Sequence, residues 1–224
     1  MGGTESREKE GSGLTALLDP RLRLVTAVQL VAWPAVALGY FGLSYGSAEM
    51  EGNLFLTNAV LAAVELPGYL YILLLMDTWG RKPLFCLSLI FTGISSILSA
   101  YMTSPTARNL LLYVAKNTAS GAFGLVFIYS SELFPTSVRG TGLGLCSLAA
   151  RIGATATPFM SELAAVTSPA TPHLLLGGFA VLAGLLCLTL PETLGSSLPE
   201  QPADIQAIRQ NSKPMWKFVN PKRK

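Results

Sequence analysis

The sequence predicts an all-α integral membrane protein with six transmembrane helices, and three observations predict it. Half of the 224 residues are hydrophobic and only 13% are charged, with a mean hydropathy of +0.47, a balance that water-soluble domains rarely show. The charges gather in residues 1–23, in short breaks between apolar runs and in residues 191–224. The runs themselves, such as LYILLLM and HLLLGGFAVLAGLLCLTL, do not alternate apolar with polar as the strands of a membrane barrel would. Backbone groups in hydrocarbon must be satisfied within their own segment, so these runs are helices.

Six runs follow in order: 24–45, 55–76, 84–102, 110–129, 141–166 and 173–190. Each holds about 20 residues, enough to cross roughly 30 Å of hydrocarbon as helix. Residues 1–23 form a polar lead-in with a turn at Asp19-Pro20, and residues 191–224 form the C-terminal segment, PETLGSSLPEQP followed by a polar tail expected to be largely disordered. The connecting loops are short, which predicts that sequence neighbours pack antiparallel in a single bundle. Small residues form stripes on the fourth and fifth runs: Ser120 with Gly124, Gly140 with Gly144 and Ser147, and Gly142 with Cys146 and Gly153. Such stripes let helix backbones approach closely.

Lysine and arginine set the orientation. Thirteen of the sixteen fall in the termini or in the loops around Arg81-Lys82 and Arg139, Arg108 alone lies in the opposite loops, and Lys116 and Arg151 lie within runs. This bias places both termini in the cytosol. The net charge of +3 therefore reflects topology and calls for no nucleic-acid partner. Cys86, Cys146 and Cys187 all lie within runs, so neither a disulfide nor a zinc site is expected. The N-terminal residues lack the apolar core of a cleavable signal, so the first helix is expected to insert by itself.

Four ionisable groups lie at membrane depth: Glu65, Lys116, Arg151 and Glu162. A charge near the bilayer centre costs at least about 2.5–3.5 kcal/mol, so each should face the bundle interior or an aqueous cavity. Glu65 has two candidate partners, Lys116 and Arg151. Arg151 lies too deep to snorkel and carries a planar fork suited to gripping a carboxylate. Trp33, Tyr40, Phe41, Tyr69, Phe123 and Phe127 offer ring faces that hold flat or cationic organic groups, although aromatic residues at helical spacing also serve packing alone. An intramembrane hydrolase is excluded: Gly93-Ile94-Ser95 only faintly resembles a nucleophile motif, and the sole histidine, His173, opens the last run.

The motifs LLLMDTWGRKP, ELFPTSVRGTGLG and PETLGSSLP, in this order at the ends of the second, fourth and sixth runs, resemble the C-terminal half of major facilitator superfamily transporters of the organic cation, organic anion and carnitine branch. The resemblance runs from about Arg21 to Pro199. It implies one half of a twelve-helix fold, with a cytosolic charge network of Asp77, Gly80, Arg81 and Lys82 facing Glu132 and Arg139, and Glu192 nearby. These would be gate residues, with Asp77 also placed to sit near a helix N-terminus.

The resemblance further implies a solute site formed by Arg151, Lys116, Glu65, Trp33, Tyr40, Phe41, Tyr69 and Phe127. Arg151, in LAARIGATATP, and Lys116 match basic positions of anion and carnitine relatives, whereas Tyr69, in VELPGYLY, matches the tyrosine of the carnitine type. The solute it implies is a small organic anion or a carnitine-like zwitterion. No cofactor is implied. The expected partners are the lipid bilayer, the solute, and a second copy or a partner half, in the plasma membrane. The alternative is a non-transporting relative that pairs with full-length transporters and modulates them.

Overall fold

A computed structural model describes residues 13–46, 50 and 52–211. The described residues are helical, with no strand among them: α1 (Gly13–Leu17), α2 (Arg23–Tyr45), α3 (Leu54–Trp79), α4 (Arg81–Ala100), α5 (Pro105–Leu133), α6 (Arg139–Ala156), α7 (Pro158–Val166), α8 (Thr171–Cys187) and α9 (Pro202–Asn211). Four of these, α2 to α5, are long and apolar enough to cross a membrane. The expected fifth span is divided into α6 and α7 at Thr157. Pro158 has no N–H to continue the ladder and its ring crowds the preceding turn. The expected sixth span is the shorter apolar helix α8, of 17 residues.

Short loops do not decide the packing. The helix α4 lies between α8 and α5, α2 packs on α6, α8 and α5, and α3 packs chiefly on α5 and only lightly on its chain neighbour α4. Small-residue faces override connectivity here. At the α4–α8 crossing a Cβ on Gly93 would stand 2.5 Å from the Gly177 carbonyl oxygen, so the two backbones touch where no side chain intervenes. The stripe Gly142, Cys146 and Gly153 is buried, with Gly153 against the backbone of Pro34 on α2. Ser120 and Gly124 meet Gly68 and Tyr69 of α3. By contrast Gly140 and Gly144 face open space, so their spacing marks no helix contact among the described residues.

Both terminal segments carry more structure than their polarity suggests. Leu17 and Leu22 are buried, and the Thr26 hydroxyl donates to the Leu17 carbonyl at 3.2 Å. Of the tail that follows PETLGSSLPEQP, expected to be largely disordered, the residues as far as Asn211 form α9. Pro191, Glu192 and Thr193 are buried, the Thr136 N–H donates to the Pro199 carbonyl at 3.0 Å, and α9 sets Ile205 and Ile208 into the main core. The Asp204 carboxylate accepts the Gln201 and Glu200 N–H groups at 2.9 and 3.0 Å, which caps α9 and holds its pKa below the ordinary value. Residues 212–224 lie outside the described residues, as do 1–12.

The Gly93–Gly177 contact generates a direct test. Gly93→Val should force α4 and α8 apart and lower stability by about 1–3 kcal/mol, read as a lower Tm in detergent. Gly178→Val, where nothing lies within 4 Å, should leave Tm nearly unchanged.

Candidate functional site

The four charges expected at membrane depth resolve into one pair and two separate groups. Lys116 on α5 is 1% exposed, and its Nζ lies 2.9 Å from Glu65 Oε1 on α3. The same ammonium donates to Ser44 Oγ at 2.6 Å and to the Tyr40 carbonyl at 3.2 Å, and stands 3.6 Å from the centroid of the Tyr40 ring. The Tyr40 hydroxyl donates to the other carboxylate oxygen, Glu65 Oε2, at 2.8 Å. Burial strips both ions of water, and these bonds replace what is lost. Glu65 is the outer member, at 22% exposure.

Aromatic rings extend from this pair. Tyr40 stacks on Phe123 with centroids 4.5 Å apart, Phe41 meets both edge-on, and Phe127 meets Phe123 edge-on at 5.8 Å. Phe127 is 47% exposed and Phe41 partly so, which makes a wall with an accessible side. Tyr69 is half-buried against Gly124 beside this wall. Trp33 is a correction to the expected lining. It is 3% exposed, donates from Nε1 to Ser130 Oγ at 2.9 Å, and supports Phe127 from behind.

Arg151 does not join the pair. It is exposed on α6 and forms no ion pair among the described residues, so Glu65 is bound to Lys116 alone of its two candidates. Glu162 on α7 is likewise exposed.

At the far end of α3 and α5, Arg81 is the hub. Its Nε lies 3.2 Å from Glu132 Oε1, its Nη2 3.1 Å from Asp77 Oδ1, and its Nη1 donates to the Met76 carbonyl at 3.1 Å. The Thr193 hydroxyl donates to Glu132 Oε2. Glu192, 4% exposed, accepts four backbone N–H groups: Arg81 at 3.0 Å, Lys82 at 3.2 Å, and Thr193 and Leu194 at 2.9 Å each. It therefore caps the N-terminus of α4, where unpaired N–H groups and the helix dipole favour an anion.

That cap corrects the expectation for Asp77. Asp77 sits in the last turn of α3 at 68% exposure, and Glu192 takes the helix N-terminus instead. Lys82 contributes its backbone N–H to this network. Arg139 also stands apart. Its Nε donates to the Phe134 carbonyl at 3.2 Å, and it pairs with no carboxylate among the described residues. Gly80 has φ +100°, and a Cβ there would lie 2.5 Å from Glu192 Oε2.

Sequence reasoning missed Ser44, Ser130 and Thr193, the small hydroxyls that complete these networks. Ser44 carries the clearest signal, lying one turn after Tyr40 on the same face. Ser95 and His173 form no catalytic pair: the hydroxyl near His173 is that of Ser96, which donates to the His173 backbone carbonyl at 3.1 Å.

A helical membrane protein with a charge pair buried between apolar helices and a charge lock at one end has the features of a solute transporter. Comparison with known proteins gives the family: a model of the Major Facilitator Superfamily matches residues 23–221, and the chain belongs to that family. It is 34% identical over 197 residues to an organic cation transporter-like protein of Drosophila melanogaster, covering 87% of this chain and 34% of the relative. It is 33% identical to human solute carrier family 22 member 13, over 90% and 37% of the two chains. It is 32% identical to human organic cation/carnitine transporter 2, over 87% and 35%. The chain spans about a third of the length of the relatives it matches. These relatives are transporters and carriers, not enzymes.

Two substitutions separate the roles of these networks. Glu65→Gln leaves the Lys116 ammonium buried without its counter-ion and should cost about 3 kcal/mol or more, while Glu65→Gln with Lys116→Met should recover part of that loss; thermal unfolding in detergent reads both. Gly80→Ala should cost more than Gly195→Ala. Both glycines have positive φ, a penalty of about 1–3 kcal/mol for other residues, but nothing stands within 4 Å of a Cβ on Gly195.

Proposed function

We propose that this chain forms one wall of a membrane pathway for small organic ions, built as a half of a twelve-helix major facilitator fold. On this reading α2, α3, α4, α5, the α6–α7 pair and α8 are six crossings, residues 191–211 and the lead-in face the cytosol, and the membrane is the plasma membrane. The observation that carries the reading is the Glu65–Lys116 pair set behind the accessible rings of Tyr40, Phe41, Phe123 and Phe127. Such a wall offers ring faces to an organic cation or ammonium group.

The solute we favour is a zwitterion carrying a carboxylate, of the carnitine-like kind, or an organic anion. Lys116 is spent on Glu65, so Arg151 is the membrane-depth cation left to grip a solute carboxylate. Relatives of this chain include a protein named organic cation/carnitine transporter 2, which supports the same choice. The lock of Asp77, Arg81, Glu132 and Glu192 closes the cytosolic end, and its rearrangement opens it. A second copy or a separate half supplies the facing wall.

The test is uptake of a labelled zwitterion and a labelled organic anion by cells expressing the tagged chain alone or with a full-length relative, together with cross-linking and mass determination. Arg151→Ala should abolish carboxylate uptake, whereas Arg151→Lys should retain a fraction, since the charge survives without the fork. Uptake unchanged by Arg151→Ala would remove Arg151 from the site. A complex with a relative that moves nothing would establish the modulator reading instead.

A further inference from the structure

The four rings of the aromatic wall are not equally open. Lys116 Nζ stands 3.6 Å from the Tyr40 ring centroid, and Phe123 stacks on the same ring with centroids 4.5 Å apart. Two groups that close cannot share one face, so both faces of Tyr40 are filled. Phe41 and Phe123 are half-buried, whereas Phe127 is 47% exposed. Phe127 is therefore the ring with the most surface left for a cationic group, which must come within about 6 Å of a ring centroid.

Taking the wall as a solute surface, as proposed above, we infer that Ser130 is a positioning residue for it: by accepting the Trp33 indole N–H, it fixes how Phe127 is presented to the solute. Ser130 follows Phe127 by three residues on α5, so the two lie on one helix face. Trp33, on α2, reaches both. Its Nε1 donates to Ser130 Oγ at 2.9 Å, and its ring meets Phe127 with centroids 4.6 Å apart and planes inclined at 70°.

Burial gives that hydrogen bond its leverage. Trp33 is 3% exposed and Ser130 0%, so the indole N–H has no bulk water to turn to. The serine oxygen decides which way the flat indole lies. The other ring against Phe127 is Phe123, at 5.8 Å and inclined at 69°, so Trp33 is the closer of the two rings that set its plane. Ser130 itself is too deeply buried to touch a solute, and it acts only through Trp33. Ser130→Ala keeps every ring but leaves a buried donor without its acceptor. Trp33 then turns toward another acceptor, and Phe127 gains a second side-chain rotamer.

The experiment reads the ring directly, by fluorine NMR of the full chain in nanodiscs with para-fluorophenylalanine in place of Phe127. One narrow resonance is the expected result. Ser130→Ala should broaden or split it, and Ser130→Thr, which keeps the hydroxyl, should restore it. The same preparations are then titrated with tetraethylammonium and with butyrate, which carries neither a cation nor a ring. Ser130→Ala should weaken tetraethylammonium binding about fivefold, the size of one exposed cation–π contact. Ser130→Thr should recover it, and butyrate binding should stay the same in all three. An unchanged fluorine spectrum in Ser130→Ala, or an equal loss of both probes, would overturn the role of Ser130. If Ser130→Ala does not fold, Ser130→Cys, with its weaker acceptor, gives the same reading. A chain that binds neither probe would overturn the solute reading of the wall, while the fluorine spectrum still decides whether Ser130 holds Phe127.

Discussion

An ammonium group inside an apolar bundle must be surrounded by acceptors before the bundle can form, and Lys116 organises three helices for that purpose. Glu65 comes from α3, and Tyr40 and Ser44 from α2, while Lys116 itself lies on α5. The helix α3 has α5 as its one extensive neighbour, so the pair also fixes how the least buried of the four long apolar helices sits. Satisfying the ammonium places Tyr40 under it, and Tyr40 in turn stacks on Phe123, from which Phe41 and Phe127 are arranged. The aromatic wall therefore inherits its geometry from an electrostatic requirement.

The same two helices carry the second network. Sixteen residues separate Lys116 from Glu132 on α5, about 24 Å along a helix, and α5 has proline only at its first turn. On α3, Glu65 and Asp77 are twelve residues apart, about 18 Å, with Pro67 just after the first of them. A straight helix and a proline-interrupted helix thus link the membrane-depth pair to the lock. Relative motion of the two would strain both networks together, whereas α5 alone moves as a rod. Glu192 adds the third tie, since one buried carboxylate holds the start of α4 and the turn after Pro191 at once.

Hydrophobic run length revealed most of the helices, and the motifs around Arg81, Glu132 and Glu192 named residues that the structure brings into one ion-pair and hydrogen-bond network. Hydropathy could not reveal which helices touch. The Gly142–Cys146–Gly153 stripe is buried, Gly142 against Phe134 and Gly153 against Pro34 of α2, while Gly140 and Gly144, with equally regular spacing, face open space. Spacing reports a face but not its neighbour. The burial of the PETLG segment was hidden for a related reason: Pro191 to Pro199 is polar in composition, yet Glu192 is buried because four backbone N–H groups need an acceptor there. Composition does not register a need that arises from another helix's unpaired N–H groups.

The contrast between Lys116 and Arg151 carries the argument about function furthest. Both cations fall within apolar runs, Lys116 near the outer end of its run and Arg151 deeper in its own. Lys116 is answered wholly within the chain, by a carboxylate, a hydroxyl, a carbonyl and a ring. Arg151 is exposed and finds no carboxylate among the described residues. On the proposed reading, in which α6 crosses the membrane, that placement against hydrocarbon would cost at least about 2.5–3.5 kcal/mol, which favours water, a solute or a facing protein wall beside Arg151. Lys116 holds the bundle together, and on the same reading Arg151 is the cation left to meet a solute.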